Sequence, residues 1–119
     1  MKLLGWIGTS KSDLLAFPDP VVREIGHALY VAQQGGKHRS AKPLRGFGGA
    51  GLMEIVEDHD GGTYRAVYTV RFAEVVYVLH AFQKKSRTGV ATPMKEIRKV
   101  RARLNLAEEE YRRWQEKRA

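Results

Sequence analysis

The chain has 119 residues, no cysteine, and a net charge of +8 from 21 basic and 13 acidic side chains. That length supports one core and one compact site, so separate cofactor and substrate domains are excluded. The lack of cysteine excludes disulfides and thiolate metal sites, no apolar run approaches a bilayer span, and MKLLGWIGTSKSD has too short an apolar core for a secretory signal. A soluble, cytoplasmic protein with no membrane association is expected.

KLLGWIG, residues 2 to 8, reads as a first or edge strand, and SKSDLLAF (10 to 17) as a brief helix capped by Ser10 or Ser12. A cleaner start follows, where Asp19 can cap a helix with Pro20 at its first position. Val21, Val22, Ile25, Ala28, Leu29 and Ala32 then recur at helical spacing until Gly35-Gly36, which predicts an amphipathic helix over 20 to 34.

The polar stretch KHRSAKPLRGFGGAG comes next. Its GFGGAG, residues 46 to 51, formally matches the dinucleotide fingerprint, which needs a strand before it, a helix after it and an acidic residue about 20 positions on. Here a strand follows and Arg71 stands near the acidic position, so these are turn glycines.

Three strand-like runs then form an antiparallel meander: LMEIVED (52 to 58), TYRAVYTVRF (63 to 72) and VVYVLHAFQ (75 to 83). Asp60-Gly61 supplies a strong hairpin signal between the first two, and Ala73-Glu74 a shorter turn between the last two. In the middle run Tyr64, Ala66, Tyr68, Val70 and Phe72 should share a packed face, and Arg65, Val67, Thr69 and Arg71 a charged one.

Thr92-Pro93 opens the last helix, where Met94, Ile97, Val100, Leu104, Ala107, Tyr111 and Trp114 form one stripe. Residues 105 to 119 either prolong this helix or form a contact arm, and Trp114 should pack on the body or on a partner. The order predicts a single α+β domain over residues 1 to 119, a small antiparallel sheet packed against N-terminal and C-terminal helices.

Charge is unevenly placed. Residues 1 to 63 hold seven basic and seven acidic side chains, and 105 to 119 hold four of each. The whole excess lies in 64 to 104, ten basic residues against Glu74 and Glu96. Such a local field suits a polyanion, or alternatively a solvated basic face.

The histidines at 27, 38, 59 and 80 show no metal-ligand spacing, no serine sits in a hydrolase elbow, and Glu54 and Glu57 fall on opposite faces of one strand. No metal or other cofactor is expected. What remains is Arg65 on one strand and His80, Lys84, Lys85 and Arg87 at the end of the next. Antiparallel pairing about residues 73 and 74 places position 65 near 82, so Arg65, His80 and Lys84 fall in one patch. Cations without carboxylates suit a phosphodiester, with Arg stabilising added negative charge and His or Lys moving protons. A noncatalytic nucleic-acid-binding surface fits the same residues.

The runs AKPLRGFGGAG, EIVED, YRAVYTV and HAFQKKS, in this order within residues 3 to 105, resemble RelE/HigB-like toxins of bacterial toxin–antitoxin modules, in their phage-derived HigB-like branch. The resemblance implies a RelE-like, microbial RNase-like fold. It also implies ribosome-dependent mRNA cleavage without a metal, and neutralisation by a cognate helix-turn-helix antitoxin, so the bacterial ribosome and mRNA become expected partners. By position, Arg65 matches the family's phosphate-contacting strand arginine, and Lys84 and Lys85 its basic pair. Many relatives carry a tyrosine soon after that pair, whereas SRTGVATPMKE has none, which leaves His80 as the candidate acid. Lys42, Arg45, Arg71, Arg87, Lys95 and Arg98 are candidate RNA-binding residues. The alternative is a noncatalytic module acting in a repressor complex with its partner.

Overall fold

The computed structural model describes residues 1–84 and 92–118. Their order is β1 (Leu3–Trp6), α1 (Ser10–Leu15), α2 (Asp19–Gln33), β2 (Ala41–Pro43), β3 (Leu52–His59), β4 (Gly62–Thr69), β5 (Val75–Lys84) and α3 (Met94–Arg118). The strands form one sheet in the order β1-β5-β4-β3-β2. β2 to β5 are antiparallel to their neighbours, while β1 adds to β5 in parallel at one edge. The fold is the expected α+β arrangement, refined by that parallel edge.

The β3–β4 hairpin turns on Asp60 (φ 47°) and Gly61 (φ 80°), with His59 opposite Gly62. Two consecutive positive φ values are what a two-residue type I′ turn demands, and Asp-Gly tolerates them. The register follows from this turn. The second connection is longer than Ala73-Glu74, because β4 ends at Thr69 and β5 starts at Val75.

Each sheet face has its own core. On one face Met53, Ile55, Ala66, Tyr68, Val76, Val78 and Ala81 pack against Val21, Ile25, Ala28, Leu29 and Ala32 of α2 and Leu14 of α1. Burying each of the larger aliphatic side chains stabilises the fold by roughly 1.5–3 kcal/mol. Asp19 is the first residue of α2 and makes no side-chain cap; Pro18 holds the cap position. Thr9 precedes α1, and the buried Ser10 hydroxyl donates to the Val78 carbonyl at 3.0 Å, so it ties the helix to the sheet instead of capping it.

On the other face Leu52, Val67, Val75, Tyr77 and Leu79 pack against Val100, Leu104 and Ala107 of α3, with Ile97, Tyr111 and Trp114 at the margin. The second face of β4 is therefore covered, not simply charged. Phe72 joins this core with Leu44 and Phe47, the reverse of its expected side. Alternation lapses after Thr69, where the backbone leaves the strand.

A β-bulge adds one residue to β5: Tyr68 pairs with Val78 but Val67 with His80, leaving Leu79 extra. The face of β5 therefore switches. Tyr77 and Leu79 face α3 before it, and His80, Phe82 and Lys84 face the same side after it.

Gly51 closes the turn-rich stretch before β3. Its φ is +72°, a Cβ there would lie 2.6 Å from the Arg71 Cβ, and its carbonyl accepts the Val70 N–H at 2.8 Å. Gly51→Ala should therefore destabilise the protein by about 1–3 kcal/mol, read as a lower urea midpoint. An unchanged midpoint would show that this turn yields.

Candidate functional site

Paired residues on neighbouring strands project to the same face. Lys42 pairs with Glu54, Glu54 with Val67, and Val67 with His80; one step along, Arg65 pairs with Phe82, and Thr63 with Lys84. The register that the sequence implied for positions 65 and 82 is the one observed. Lys42, Glu54, Arg65, His80 and Lys84 all lie on the face that α3 partly covers.

Arg65 is 3% exposed and Glu54 also 3%. The Arg65 Nη1 donates to Glu54 Oε2 at 3.2 Å and to the Thr92 hydroxyl oxygen at 3.2 Å. That hydroxyl in turn donates to the same Glu54 oxygen. Thr92, expected only as a helix cap, thus joins the entry of α3 to β3 and β4. A buried ion pair is tolerated when further hydrogen bonds satisfy it, and Thr92 supplies them.

Lys84 ends β5 at 7% exposure. Burial holds its ammonium below the ordinary lysine range, and the Arg65 and Lys42 charges add to that, while Glu54 acts in the opposite sense. A lysine so placed gives up its proton more readily than one in solvent.

His80 is held at both ring nitrogens. Its Nε2 lies 2.7 Å from Glu96 Oε1 and its Nδ1 3.2 Å from Arg103 Nη1. Arginine only donates, so Nδ1 accepts and Nε2 carries the proton to Glu96. Arg103 also donates to the Leu79 carbonyl at 2.9 Å and to Thr9 Oγ1 at 3.2 Å. Burial keeps the imidazole below its ordinary value, although Glu96 favours the charged form and Arg103 and Lys99 oppose it. This geometry makes His80 a clamp for α3. Tyr68 faces the opposite core, and burial pushes its hydroxyl up to about 12.

The exposed Lys42 and Arg45 line a cleft of about 450 Å³ between the β2–β3 connection and the start of α3, together with Leu44, Thr92, Ile97 and Arg101. Lys95 and Arg98 are exposed on the first turns of α3. Arg71 lies apart from this group, paired with Glu108 at 3.0 Å. Lys85 and Arg87 lie outside the described residues. Thr92, Glu96 and Arg103 are the members that sequence reading did not assign. Glu96 alone carried a signal, as one of two acids in a basic segment.

Elsewhere, ligand atoms of Glu24, His38 and Glu57 lie within 4.8 Å of one another. The Ser40 N–H donates to His38 Nδ1 at 3.0 Å, so Nε2 is protonated and donates to Glu24 at 2.8 Å. The nitrogen facing the carboxylates is thus a donor, which suits a hydrogen-bonded brace between α2 and the connection after it.

A family model described as phage-derived protein Gp49-like (DUF891) matches residues 12–105 of the chain. No curated protein and no solved structure matches the chain.

Two predictions follow from these networks. Arg65→Met alone strands a buried carboxylate and should cost about 3–5 kcal/mol in urea unfolding, whereas Arg65→Met with Glu54→Met should recover most of that loss. An unfolded His80 takes up its proton near pH 6.5, before the folded one does, so its contribution is complete above that pH and declines as pH falls below it. The stability difference between wild type and His80→Gln should accordingly be smaller at pH 5 than at pH 7.5; a constant difference would exclude the linkage.

Proposed function

The chain belongs to the phage-derived Gp49-like family, which is associated with toxin–antitoxin systems, and from that premise we propose that it is the toxin of such a module, an endoribonuclease that cuts mRNA on the ribosome. Its partner is then a cognate helix-turn-helix antitoxin. The observation that carries this reading is the buried lysine: Lys84 lies near Arg65 on the α3 face of the sheet, with its proton affinity lowered by burial and by the Arg65 charge.

The chemistry needs only side chains. In its unprotonated form, which burial and the Arg65 charge favour, the Lys84 amine takes the proton of the 2′-hydroxyl, whose oxygen attacks the adjacent phosphorus. A P–O bond forms to the 2′ oxygen, the bond to the 5′ oxygen breaks, and that oxygen takes a proton from water. The products are a cyclic phosphate and a free 5′-hydroxyl. Arg65 acts from beneath: its charge favours the unprotonated amine and adds a positive field at the phosphorus as negative charge builds there. Lys85, next in sequence, is assigned as a second phosphate cation on the sequence reading alone. Lys42, Arg45, Lys95 and Arg98 hold the RNA backbone, so binding weakens with salt.

His80 has a supporting part in this scheme. With Nδ1 accepting from Arg103 and Nε2 donating to Glu96, it keeps α3 against the sheet and so shapes the wall of the site.

The test is induction in bacteria, with new 5′ ends mapped on translated and untranslated copies of one transcript. Cuts should appear on the translated copy alone. Lys84→Arg keeps the charge but remains protonated, so it should lower cutting by about 10²–10⁴-fold while RNA binding persists. If the wild-type protein neither arrests growth nor cuts translated message, the nuclease assignment is wrong.

A further inference from the structure

The cleft beside the buried ion pair contains more than phosphate binding requires. Lys42 and Arg45 stand exposed at its border, which suits a backbone anion, but Leu44, Met94 and Ile97 give it apolar walls. Arg101 adds a third feature. Its guanidinium carbon lies 4.7 Å from the centroid of the Phe47 ring, and the same side chain lines the cleft. Phe47 is itself mostly buried, so it backs the guanidinium with a fixed surface. Glu54, the one acidic residue that lines it among the described residues, is already bonded to Arg65 and Thr92.

A phosphate alone leaves the apolar walls without purpose, and an apolar peptide leaves the cations without purpose. A nucleotide matches both. Unpaired bases stack on aromatic rings and on guanidinium planes, while their phosphates go to lysine and arginine at the margin. A cleft of about 450 Å³ is also within the range of sites for small flat ligands, about 300–1,000 Å³.

We propose that this cleft holds one unstacked base of single-stranded RNA, with Arg101 as its stacking surface and Lys42 and Arg45 on the neighbouring phosphates. The proposal rests on the reading of the protein as an RNA-cutting toxin and adds a base-binding pocket to it. Glu54 and Thr92 belong to both the cleft and the buried triad, so a base seated here lies next to the phosphate that Lys84 and Arg65 serve. A base within a duplex stays stacked on its neighbours and does not enter.

The experiment uses the full-length protein and a fluorescent single-stranded hexaribonucleotide, the same oligonucleotide with one abasic position scanned along it, and a duplex of the same sequence. The wild type should bind the intact strand about tenfold more tightly than the best-placed abasic version and more tightly than the duplex. Arg101→Lys keeps the charge but loses the plane; it should weaken intact-strand binding by a similar factor and bind intact and abasic strands equally. Met94→Ser, at a side chain 64% exposed, should weaken intact-strand binding in the same direction without threatening the fold. Equal wild-type affinity for intact and abasic strands, no change on Arg101→Lys, or no measurable binding of the single strand overturns the proposal. The mapping of 5′ ends is scored separately. Binding with this pattern and no cutting removes the nuclease reading alone, whereas cutting without base dependence removes the pocket alone.

Discussion

A guanidinium placed in the middle of a sheet must be neutralised where it lies, and much of this molecule follows from that constraint. Arg65 and Glu54 have little water left to them. Their attraction is helped against desolvation by a hydroxyl from another element that bonds to both partners. That hydroxyl belongs to Thr92, at the threshold of α3. The third helix is therefore tied to the sheet by polar contacts at its beginning as well as by its apolar stripe. The same Arg65 charge, together with burial, also lowers the proton affinity of Lys84.

α3 has two regions with different work. Its apolar stripe, from Ile97 to Trp114, lies along the second face of the sheet. Its first half carries five of the ten basic residues of the 64–104 segment beside that stripe, with Arg101 turned to the cleft and Arg103 turned inward to Leu79, His80 and Thr9. Charge is balanced again toward the end, where Arg113 pairs with Glu109 and Arg118 with Glu74. Among the described residues, the uneven charge of the sequence thus becomes a spatial grouping, with Lys42, Arg45, Lys95, Arg98 and Arg101 near the start of α3 and Arg71 apart from them. Basic residues so close in sequence could have repelled one another; among the described ones, Arg65 and Arg71 are engaged by carboxylates and Arg103 by a carbonyl.

The parts of this arrangement legible in the sequence were those fixed by local chemistry. Asp60-Gly61 dictated a two-residue turn, and the turn dictated the β3–β4 register that sets His59 opposite Gly62 and Val56 opposite Arg65; residue 65 also stands opposite residue 82 as expected, but through a longer connection and a bulge in β5. The stripe from Val21 to Ala32 was legible because a 3.6-residue period has one meaning in a helix of that length. Three features were not. The short strand Ala41–Pro43 carries no alternation of its own and exists through its pairing with β3. Phe72 changed sides because the strand had already ended. The burial of Arg65 depends on α3, some thirty residues away, and no pattern around YRAVY announces it. Local propensity can place a charged residue on a face, but only the element that later covers the face decides its solvation.

The extra residue at Leu79 bears on how the chain could vary in length. Side chains on an extended backbone obey an odd-even rule, and the bulge resets the count just before Lys84. Removing Leu79 would restore unbroken alternation, with His80 following Val78 directly, and would leave His80, Phe82 and Lys84 on the α3 side. One residue inserted between His80 and Lys84 would instead hand Gln83 to the α3 side and send Lys84 toward α1 and α2. The segment can therefore shed one residue, but not gain one, and still leave its terminal amine where it stands.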